Sequence, residues 1–243
     1  MIAELRKLWQ EAFDDPEAAL DNFFATGYSQ NRFHCILENN IPVSALYWFD
    51  CECAGEKLAY IYAVATLKTH RGKGLAHRLM AQTHEILKNQ GYAGAILVPG
   101  ETRLFDFYEK TGYRPVTSVT EFVCQPTGPA LALREVDGAE YARLRKALLP
   151  PGGVVQEGAT IDYLQTYCKF YVGEDFLLCA TAEKQTLLVH ELLGNPALAP
   201  QILTALGMEK GQFRTPGTGR DFAMYLPFTA HCPIPGYFGL ALD

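Results

Sequence analysis

The sequence lacks the features expected of a membrane protein or of a protein that binds nucleic acid broadly. No apolar run approaches the ~20 residues that a helix needs to cross a bilayer. The N-terminal stretch MIAELRKLWQEAF alternates charged with apolar residues and has no continuous signal-peptide core. Acidic residues outnumber basic residues by 27 to 21, for a formal net charge of −6. We therefore expect a cytoplasmic protein that has neither a membrane nor a nucleic acid as its partner.

The sequence also lacks a recognisable disulfide or metal pattern. Its seven cysteines are odd in number and are scattered through predicted strands, which favours reduced, mostly buried thiols in a reducing compartment. Cys51 and Cys53 could form half of a metal site. However, their one-residue gap is unlike the usual ligand spacing, and no matching pair of Cys or His follows. We expect strand thiols and no metal.

The length and composition are those of an ordinary globular protein. With 243 residues, 49% hydrophobic and 20% charged, the chain is long enough for one large domain or two of ordinary size. The order of predicted elements in the first half roughly repeats in the second, and QPTGPA at residues 125–130 is the best linker. We predict an α/β (α+β) protein with two related domains, residues 1–125 and 130–243.

Local patterns place several elements along the chain. Asp15 is expected to cap a second helix, and Asp137 a helix in the second half. The polar pair Asn39-Asn40 predicts a tight turn between two strands. TSVTEFVCQ is expected to close the first half as a strand, and the C-terminal YFGLALD is also expected to be a strand.

The stretch THRGKGLAHRLM, residues 69–80, indicates an anion site. It follows a predicted strand, contains two glycines and two cations, and leads directly into a helix. The start of a helix offers unpaired N–H groups, and glycine lets backbone amides approach phosphate oxygens. The alternative is a strand-to-helix turn whose cations are merely solvated. The dinucleotide fingerprint fails because His77 stands where its third glycine belongs, and the P-loop fails because Gly74 follows Lys73 instead of Ser or Thr.

The neighbourhood of this loop resembles the GNAT superfamily of acetyl-CoA-dependent N-acyltransferases over about residues 2–124. The family's loop, (Gln/Arg)-x-x-Gly-x-(Gly/Ala), is matched by Arg71, Gly74 and Ala76. Its FYEK-Gly-aromatic run is matched by FYEKTGY at residues 107–113. The resemblance implies two GNAT-like domains, each a mixed, mostly antiparallel central sheet flanked by helices. The first would be catalytic and bind acetyl-CoA.

The second domain is expected to be degenerate and to shape the acceptor site. Gly194-Asn195-Pro196 occupies the place of the loop but lacks its cation and its second glycine. Proline also removes an N–H that a phosphate could use. In some tandem relatives the C-terminal carboxylate enters the active site, and for Asp243 this stays an open alternative.

The resemblance also implies roles for individual residues, with acetyl-CoA as co-substrate. Tyr108 matches the usual general acid, which protonates the leaving thiolate. A tyrosine of ordinary pKa needs local tuning for this, or only a strong hydrogen bond to sulfur; a packing role on its helix is the alternative. The expected cofactor-binding residues are three at the end of a strand and six in the loop: Val64, Ala65, Thr66, Arg71, Gly72, Lys73, Gly74, Leu75 and Ala76.

The general base is not identified by the resemblance. Many relatives have Asn where this chain has Glu101, which could cap a helix or act as the base. Glu121 and Asp50 are further candidates. His70 and His77 flank the loop and are expected to have surface or packing roles.

The expected function is an N-acetyltransferase that moves an acetyl group to a primary amine by direct attack. The acceptor is expected to be a small-molecule or peptide amine, and the protein a monomer or homodimer. The alternative is a non-catalytic acyl-CoA-binding sensor or scaffold, which would not need a proton donor beside the sulfur. The acceptor and the acyl chain length are not determined by the sequence.

Overall fold

The computed structural model describes residues 1–242 and divides into two compact units. The first contains Met1–Arg114 together with Met224–Cys232. The second contains Pro115–Ala223 and the residues from Pro233 onward. Asp243, whose carboxylate was considered for the active site, lies outside the described residues. No helix in the described range is both long and apolar enough to span a membrane.

The first unit is a mixed sheet with helices. Its sheet order is β1-β2-β3-β4-β14, in which only the β3–β4 pair is parallel. A short strand, β5 (Arg114–Pro115), follows at the chain boundary between the units. The elements are the helices α1 (Ile2–Phe13), α2 (Glu17–Asn22), α3 (Leu75–Asn89) and α4 (Leu104–Glu109), and the strands β1 (Phe33–Glu38), β2 (Ile41–Cys53), β3 (Glu56–Thr66), β4 (Gly94–Leu97) and β14 (Met224–Pro227).

The second unit is also a mixed, mostly antiparallel sheet flanked by helices. Its order is β13-β6-β12-β11-β10-β9-β7, and β11–β12 is its parallel pair. The helices are α5 (Gly138–Leu148), α6 (Ala159–Leu164) and α7 (Ala199–Leu206). The strands are β6 (Ser118–Cys124), β7 (Arg134–Val136), β8 (Val155–Gln156), β9 (Lys169–Val172), β10 (Phe176–Glu183), β11 (Thr186–Gly194), β12 (Lys210–Pro216) and β13 (Arg220–Asp221). The predicted fold class is confirmed by the two sheets.

The division between the units differs from the predicted boundary at residues 125–130. Strand β6, expected to close the first half, pairs antiparallel with β12 in the second unit. Conversely, β14 pairs with β4 in the first unit. Each sheet therefore takes a strand from the other half of the sequence. Linker composition indicates where the chain turns, but it does not indicate which sheet receives the next strand.

Local predictions were mostly right at turns and less so at helix starts. Asn39 and Asn40 both have positive φ, 51° and 63°, as the predicted tight turn requires. Asp137 caps α5 by accepting from the Glu140 N–H at 2.8 Å. The predicted cap at Asp15 is wrong, because its carboxylate accepts from the Trp9 indole at 2.7 Å. The C-terminal strand is also wrong: Tyr237 forms an isolated β-bridge with Gly153, and residues 238–242 are irregular.

Each sheet packs against the apolar side of a helix that follows its parallel strand. In the first unit α3 contributes Leu75, Leu79 and Leu87 to a core with Trp48 and Ile61 of the sheet. On the opposite face α1 buries Leu5, Leu8 and Trp9. In the second unit α7 supplies Ile202 and Leu203. The core on α3 holds the start of that helix in place beside β3, where the predicted loop lies.

Candidate active site

The end of β3 is separated from β4 and provides an unpaired backbone edge. The parallel pairing runs from Leu58, opposite Gly94, to Tyr60, opposite Ile96, and stops there. Strand β3 continues to Thr66 along β2. A bulge interrupts the β2–β3 register at this point, where Ala63 has a φ of 50°. A bulge bends its strand and increases its twist, so it accounts for the separation.

The strand alternation determines which backbone groups face this gap. Ser44 on β2 donates its hydroxyl to the Ala65 carbonyl at 2.9 Å, and Leu67 donates its N–H to the Val43 carbonyl at 3.0 Å. Ala65 and Leu67 therefore direct these groups toward β2. Because successive residues of a strand alternate, Val64 and Thr66 direct theirs to the opposite edge, toward the gap.

The loop after β3 leads directly into α3 and leaves its amides exposed. A single 3₁₀ turn, Lys68–His70, precedes Gly72 and Gly74, whose φ values are 76° and 73°. A Cβ at either glycine would meet nothing within 4 Å, so glycine is needed there for its backbone conformation. No side chain caps α3. Within the described chain, the backbone N–H groups of residues 72–77 have no hydrogen-bond partner.

The cations of the loop are placed around these amides. Arg71 donates its Nε to the Thr66 carbonyl at 3.1 Å, which anchors its guanidinium between the end of β3 and the loop. Lys73 is exposed. The two histidines have the packing roles expected of them: His70 lies 3.2 Å from the Glu38 carboxylate, and His77 packs edge-on against Phe107 with ring centroids 4.6 Å apart. The loop thus combines free N–H donors with positive charge, which is suited to a phosphate group.

Tyr108 is buried on α4, and its hydroxyl has no protein partner within the described chain. The residue is 8% exposed and packs edge-on against Phe107 and Tyr113. Burial raises its pKa to about 12. The hydroxyl is therefore protonated at neutral pH and is free to donate a hydrogen bond.

The three carboxylates considered as general bases are occupied elsewhere. Asp50 accepts from the Tyr92 hydroxyl and lies 3.5 Å from both Arg32 and Lys57. Glu101 pairs with Arg103 at 2.5 Å and does not cap α4, which begins at Leu104. The third carboxylate, that of Glu121, is on strand β6.

That third carboxylate, Glu121, belongs to the second unit. It accepts hydrogen bonds from Arg220 and Arg214, and these hydrogen bonds, with that from Arg220 the larger cause, lower its pKa. An ion-paired carboxylate of lowered pKa is a weak base. None of the three is therefore a strong candidate on its local geometry.

The sequence reasoning missed two polar residues in the buried part of the site. Ser44 is fully buried and also lies 2.8 Å from the Thr66 hydroxyl, so it holds the end of β3 against β2. His84 on α3 contacts the Tyr113 hydroxyl at 3.0 Å, and burial lowers its pKa to about 4. A serine within the apolar run IPVSALYWF and a histidine on the apolar face of α3 were the available signals.

The corresponding turn in the second unit is closed. Asn195 accepts from the Ala197 N–H at 3.0 Å, and the N–H groups of Leu198 and Ala199 bond to the carbonyls of Asn195 and Pro196. Pro196 and Pro200 have no N–H at all. A Cβ at Gly194 would lie 2.2 Å from the Asp175 carbonyl, so this turn is packed against its neighbours.

Comparisons with known proteins show which domain model and which folds the chain is similar to. The sequence model of the acetyltransferase (GNAT) domain matches residues 2–116. The fold is similar to that of a GCN5-related N-acetyltransferase from Kribbella flavida, at 17% identity and a TM-score of 0.67, over 92% of this chain and 68% of that one. It is also similar to Eis1 from Mycobacterium abscessus, at 14% identity and a TM-score of 0.65, over 91% and 69% of the two chains.

A protein of more similar length, from Pyrococcus horikoshii, matches over 98% of this chain and 90% of its own, with 14% identity and a TM-score of 0.66. The comparison with curated proteins gave no match. At these identities the solved structures show the fold alone, and that fold extends over both units. Residues 2–116, slightly less than half of the chain, match the model of the acetyltransferase (GNAT) domain, and the similarity of fold extends beyond them.

Proposed function

We propose that this protein is an acetyl-CoA-dependent N-acetyltransferase that acetylates a primary amine by direct attack, with Tyr108 as the general acid. The observation that carries the proposal is the separation of β3 from β4 immediately before a loop of unpartnered amides. One segment of chain therefore offers an unpaired strand edge and, next to it, an anion site. Coenzyme A has the matching chemistry, since its pantetheine arm contains amides and its other end contains phosphates.

The residues present fit that ligand on structural grounds. Val64 and Thr66 present backbone groups that can pair with the pantetheine amides, while Ala65 is held toward β2 by Ser44. The loop residues Arg71, Gly72, Lys73, Gly74, Leu75 and Ala76 would hold the pyrophosphate through amides and charge. Positive φ at both glycines aims successive N–H groups at one anion.

The thioester of acetyl-CoA supplies an activated acetyl group, so no residue of this chain needs to be acylated. A backbone N–H at the end of β3 can stabilise the oxyanion that develops on the acetyl carbonyl. Preorganised amides are effective there because they need no reorganisation during the reaction.

Tyr108 acts by donating a hydrogen bond to the departing sulfur. With its pKa raised to about 12 by burial, complete proton transfer to a thiolate of ordinary pKa would be uphill by about 5 kcal/mol. A hydrogen bond that strengthens as charge develops on sulfur avoids this cost. The same pKa keeps the donor protonated throughout the pH range in which amines react.

The proton of the acceptor amine is then taken by water in our proposal, because Asp50, Glu101 and Glu121 are held in ion pairs. This assignment fits an amine that can also lose its proton to bulk water before binding. It predicts that the rate rises with pH along the titration of the acceptor amine itself.

The proposal is tested by release of free thiol from acetyl-CoA in the presence of primary amines. The panel should include simple alkyl amines, a polyamine and a lysine-containing peptide. We expect amine-dependent thiol release and a product 42 Da heavier than the acceptor, as one acetyl group replacing hydrogen requires (about 42 Da by composition). Tight binding of acetyl-CoA with no release for any amine would support the sensor alternative instead.

A further inference from the structure

A cluster of reactive side chains lies in the second unit, apart from the residues assigned to acetyl transfer. It contains Cys168, Cys179, Thr181 and His190, and we call it the thiol cluster. Cys168 lies between α6 and β9, Cys179 and Thr181 lie on β10, and His190 lies on β11. No role in the proposed acetyl transfer is assigned to any of these residues.

Three members of the thiol cluster, Cys168, Thr181 and His190, form a chain of hydrogen-bond contacts. The Cys168 sulfur lies 3.4 Å from the Thr181 hydroxyl, and that hydroxyl lies 3.0 Å from Nε2 of His190. The Tyr167 carbonyl also lies 3.3 Å from the hydroxyl. His190 is half-buried and lines a cavity of ≈150 Å³ together with Gln212 and Arg214. His190 is therefore the member of the cluster that borders this cavity.

The two thiols have opposite electrostatic character. Hydrogen bonding from Cys179 is the largest cause that lowers the pKa of Cys168, with His190 and Thr181 adding to it against the opposing effect of burial. Burial keeps the pKa of Cys179 well above its ordinary value. A thiolate beside a neutral thiol is the arrangement of an attacking and a resolving cysteine.

Three of the other cysteines differ from Cys168 in this respect. Burial raises the pKa of Cys35, Cys53 and Cys124. Cys35 and Cys124 are nevertheless more exposed than Cys168, which is 4% exposed. Exposure predicts that Cys35 and Cys124 are oxidised before Cys168, whereas electrostatics predicts that Cys168 is oxidised first. The measured order of oxidation therefore distinguishes the two causes. No set of three His, Cys, Asp or Glu residues in the described range is placed to hold a metal ion.

We propose that Cys168 and Cys179 are an oxidisable thiol pair, in which Cys168 reacts with a hydroperoxide and Cys179 resolves the product to an intramolecular disulfide. In the first step the Cys168 thiolate attacks a peroxide oxygen. An S–O bond forms, the O–O bond breaks, and the leaving hydroxide takes a proton. In the second step Cys179 attacks the sulfenic sulfur, an S–S bond forms, and water leaves. Two thiols and one hydrogen peroxide give one disulfide and two waters.

The strand register places the two cysteines as diagonal neighbours. Ala180 pairs with Lys169, so continuation of the ladder puts Cys168 opposite Thr181, with Cys179 two residues along on the same face. Diagonal Cα atoms are about 7–8 Å apart in a sheet, slightly more than a disulfide spans. Cys168 precedes β9 and is outside the ladder, and closure of the disulfide needs its backbone to move toward β10 (about 1 Å by these two spacings).

The test is limiting oxidation of the full chain at pH 6, with the products mapped by mass spectrometry without reduction. With one equivalent of hydrogen peroxide, we expect the Cys168–Cys179 cross-link to form first. Oxidation of Cys124 should be slower by at least about tenfold, because it is not a thiolate at this pH. This measurement uses the wild-type protein and needs no variant.

Two variants then assign the roles. Cys179→Ala should stop the reaction at the sulfenic acid, which dimedone traps on Cys168. Cys124→Ala is the matched control and should leave the rate of cross-linking unchanged. The proposal is overturned if Cys35 or Cys124 is oxidised before Cys168, or if the Cys168–Cys179 cross-link is absent from the oxidised wild type. It is also overturned if folded Cys179→Ala gives no dimedone adduct on Cys168.

Discussion

The turns that follow β3 and β11 occupy equivalent places in the two sheets but differ in their backbone donors. Each comes after a strand that has a parallel partner, β4 or β12, and each leads into a helix. After β3 the amides of residues 72–77 are unpartnered in the described structure. After β11 every N–H from Ala197 to Ala199 is hydrogen-bonded, and Pro196 and Pro200 have no N–H to offer.

The strand edges next to these turns differ in the same way. In the first unit the β3–β4 register ends at Tyr60 and Ile96, although β3 itself continues to Thr66. In the second unit the β11–β12 pairing stops at Val189 and Phe213, but the Thr215 hydroxyl donates to the Leu192 carbonyl at 3.0 Å beyond that point. On the proposed function, an acyl-CoA site is therefore expected only in the first unit, where the protein leaves both the strand edge and the helix start available.

The largest expected effect comes from Tyr108, whose hydroxyl has no protein partner in the described range, whereas the hydroxyls of Tyr141 and Tyr237 in the second unit both donate to Glu191. Tyr108→Phe should lower kcat by about 10²–10³-fold, because it removes the donor to sulfur. Acetyl-CoA affinity should stay within about twofold, since the phenyl ring and its packing remain. Steady-state thiol release and calorimetric titration measure the two quantities.

Tyr141→Phe is the control for that comparison. Its hydroxyl donates to Glu191 at 3.0 Å in a fully buried network with Arg145. Losing this bond should cost about 1–2 kcal/mol of stability and leave kcat unchanged. If Tyr108→Phe lost stability but kept kcat, Tyr108 would be a packing residue, as in the alternative considered from the sequence.

A second comparison uses two glycines of similar conformation. Gly74 and Gly207 have φ values of 73° and 66°, and a Cβ at either would meet no atom within 4 Å. Valine at either position should cost about 1–2 kcal/mol of stability from left-handed strain. Only Gly74→Val should also weaken acetyl-CoA binding, by about 100-fold or 2.7 kcal/mol, because it displaces the loop amides. Equal binding by both variants would show that the loop does not hold the ligand.

A third prediction concerns the buried ionisable groups of the first unit. The pKa of His84 is lowered to about 4 by burial, so the folded state favours the neutral ring. This contribution to stability is present above the unfolded pKa of about 6.5 and is lost as pH falls toward 4. Between pH 7 and pH 5 the free energy of unfolding should fall by about 2 kcal/mol from this group.

Tryptophan fluorescence in a urea titration measures this loss, because Trp9 and Trp48 are the only tryptophans and both lie in the first unit. His84→Gln keeps a hydrogen-bonding partner for Tyr113 but does not titrate. Between pH 7 and pH 5 its free energy of unfolding should therefore fall by about 2 kcal/mol less than that of the wild type. His190→Gln, in the second unit, should leave the tryptophan signal as in wild type. If the free energy of unfolding of His84→Gln fell with pH as steeply as that of the wild type, the acid sensitivity would come from another group.

The smallest expected effect tests whether the closed turn can be opened. Asn195→Ala removes the cap of the 3₁₀ turn before α7 and should cost about 1 kcal/mol in the second unit. It should not create an acetyl-CoA site, because Pro196 and Pro200 still lack N–H groups. Hydrogen exchange in α7 reports the loss of the cap. A second binding event in this variant would mean that the cap alone closes the turn.

Local chemistry made part of this structure predictable. The Asn39-Asn40 turn and the Asp137 cap could be predicted because each depends on a few neighbouring residues. The loop at residues 71–76 could be predicted because its glycines and cations are adjacent in the chain. The closed turn at Asn195 could be predicted because proline cannot donate a hydrogen bond.

Long-range pairing was the part that could not be predicted. The pattern of β6 suits any half-buried strand, so it did not indicate pairing with β12, some 90 residues later. The ion pair between Glu101 and Arg103 depends on the side-chain conformations of two residues in a loop. It takes the carboxylate away from both roles considered for Glu101, the helix cap and the general base. The hydrogen bond from Ser44 to Ala65 joins two strands across a bulge that the sequence did not indicate.

The most direct test of the difference between the two turns is the stoichiometry of acetyl-CoA binding, measured by isothermal titration calorimetry on the full chain. We predict one site per chain, lost in Gly74→Val and retained in Asn195→Ala. Two sites per chain, or one site that survives Gly74→Val and is lost on changes to the second turn, would contradict the account.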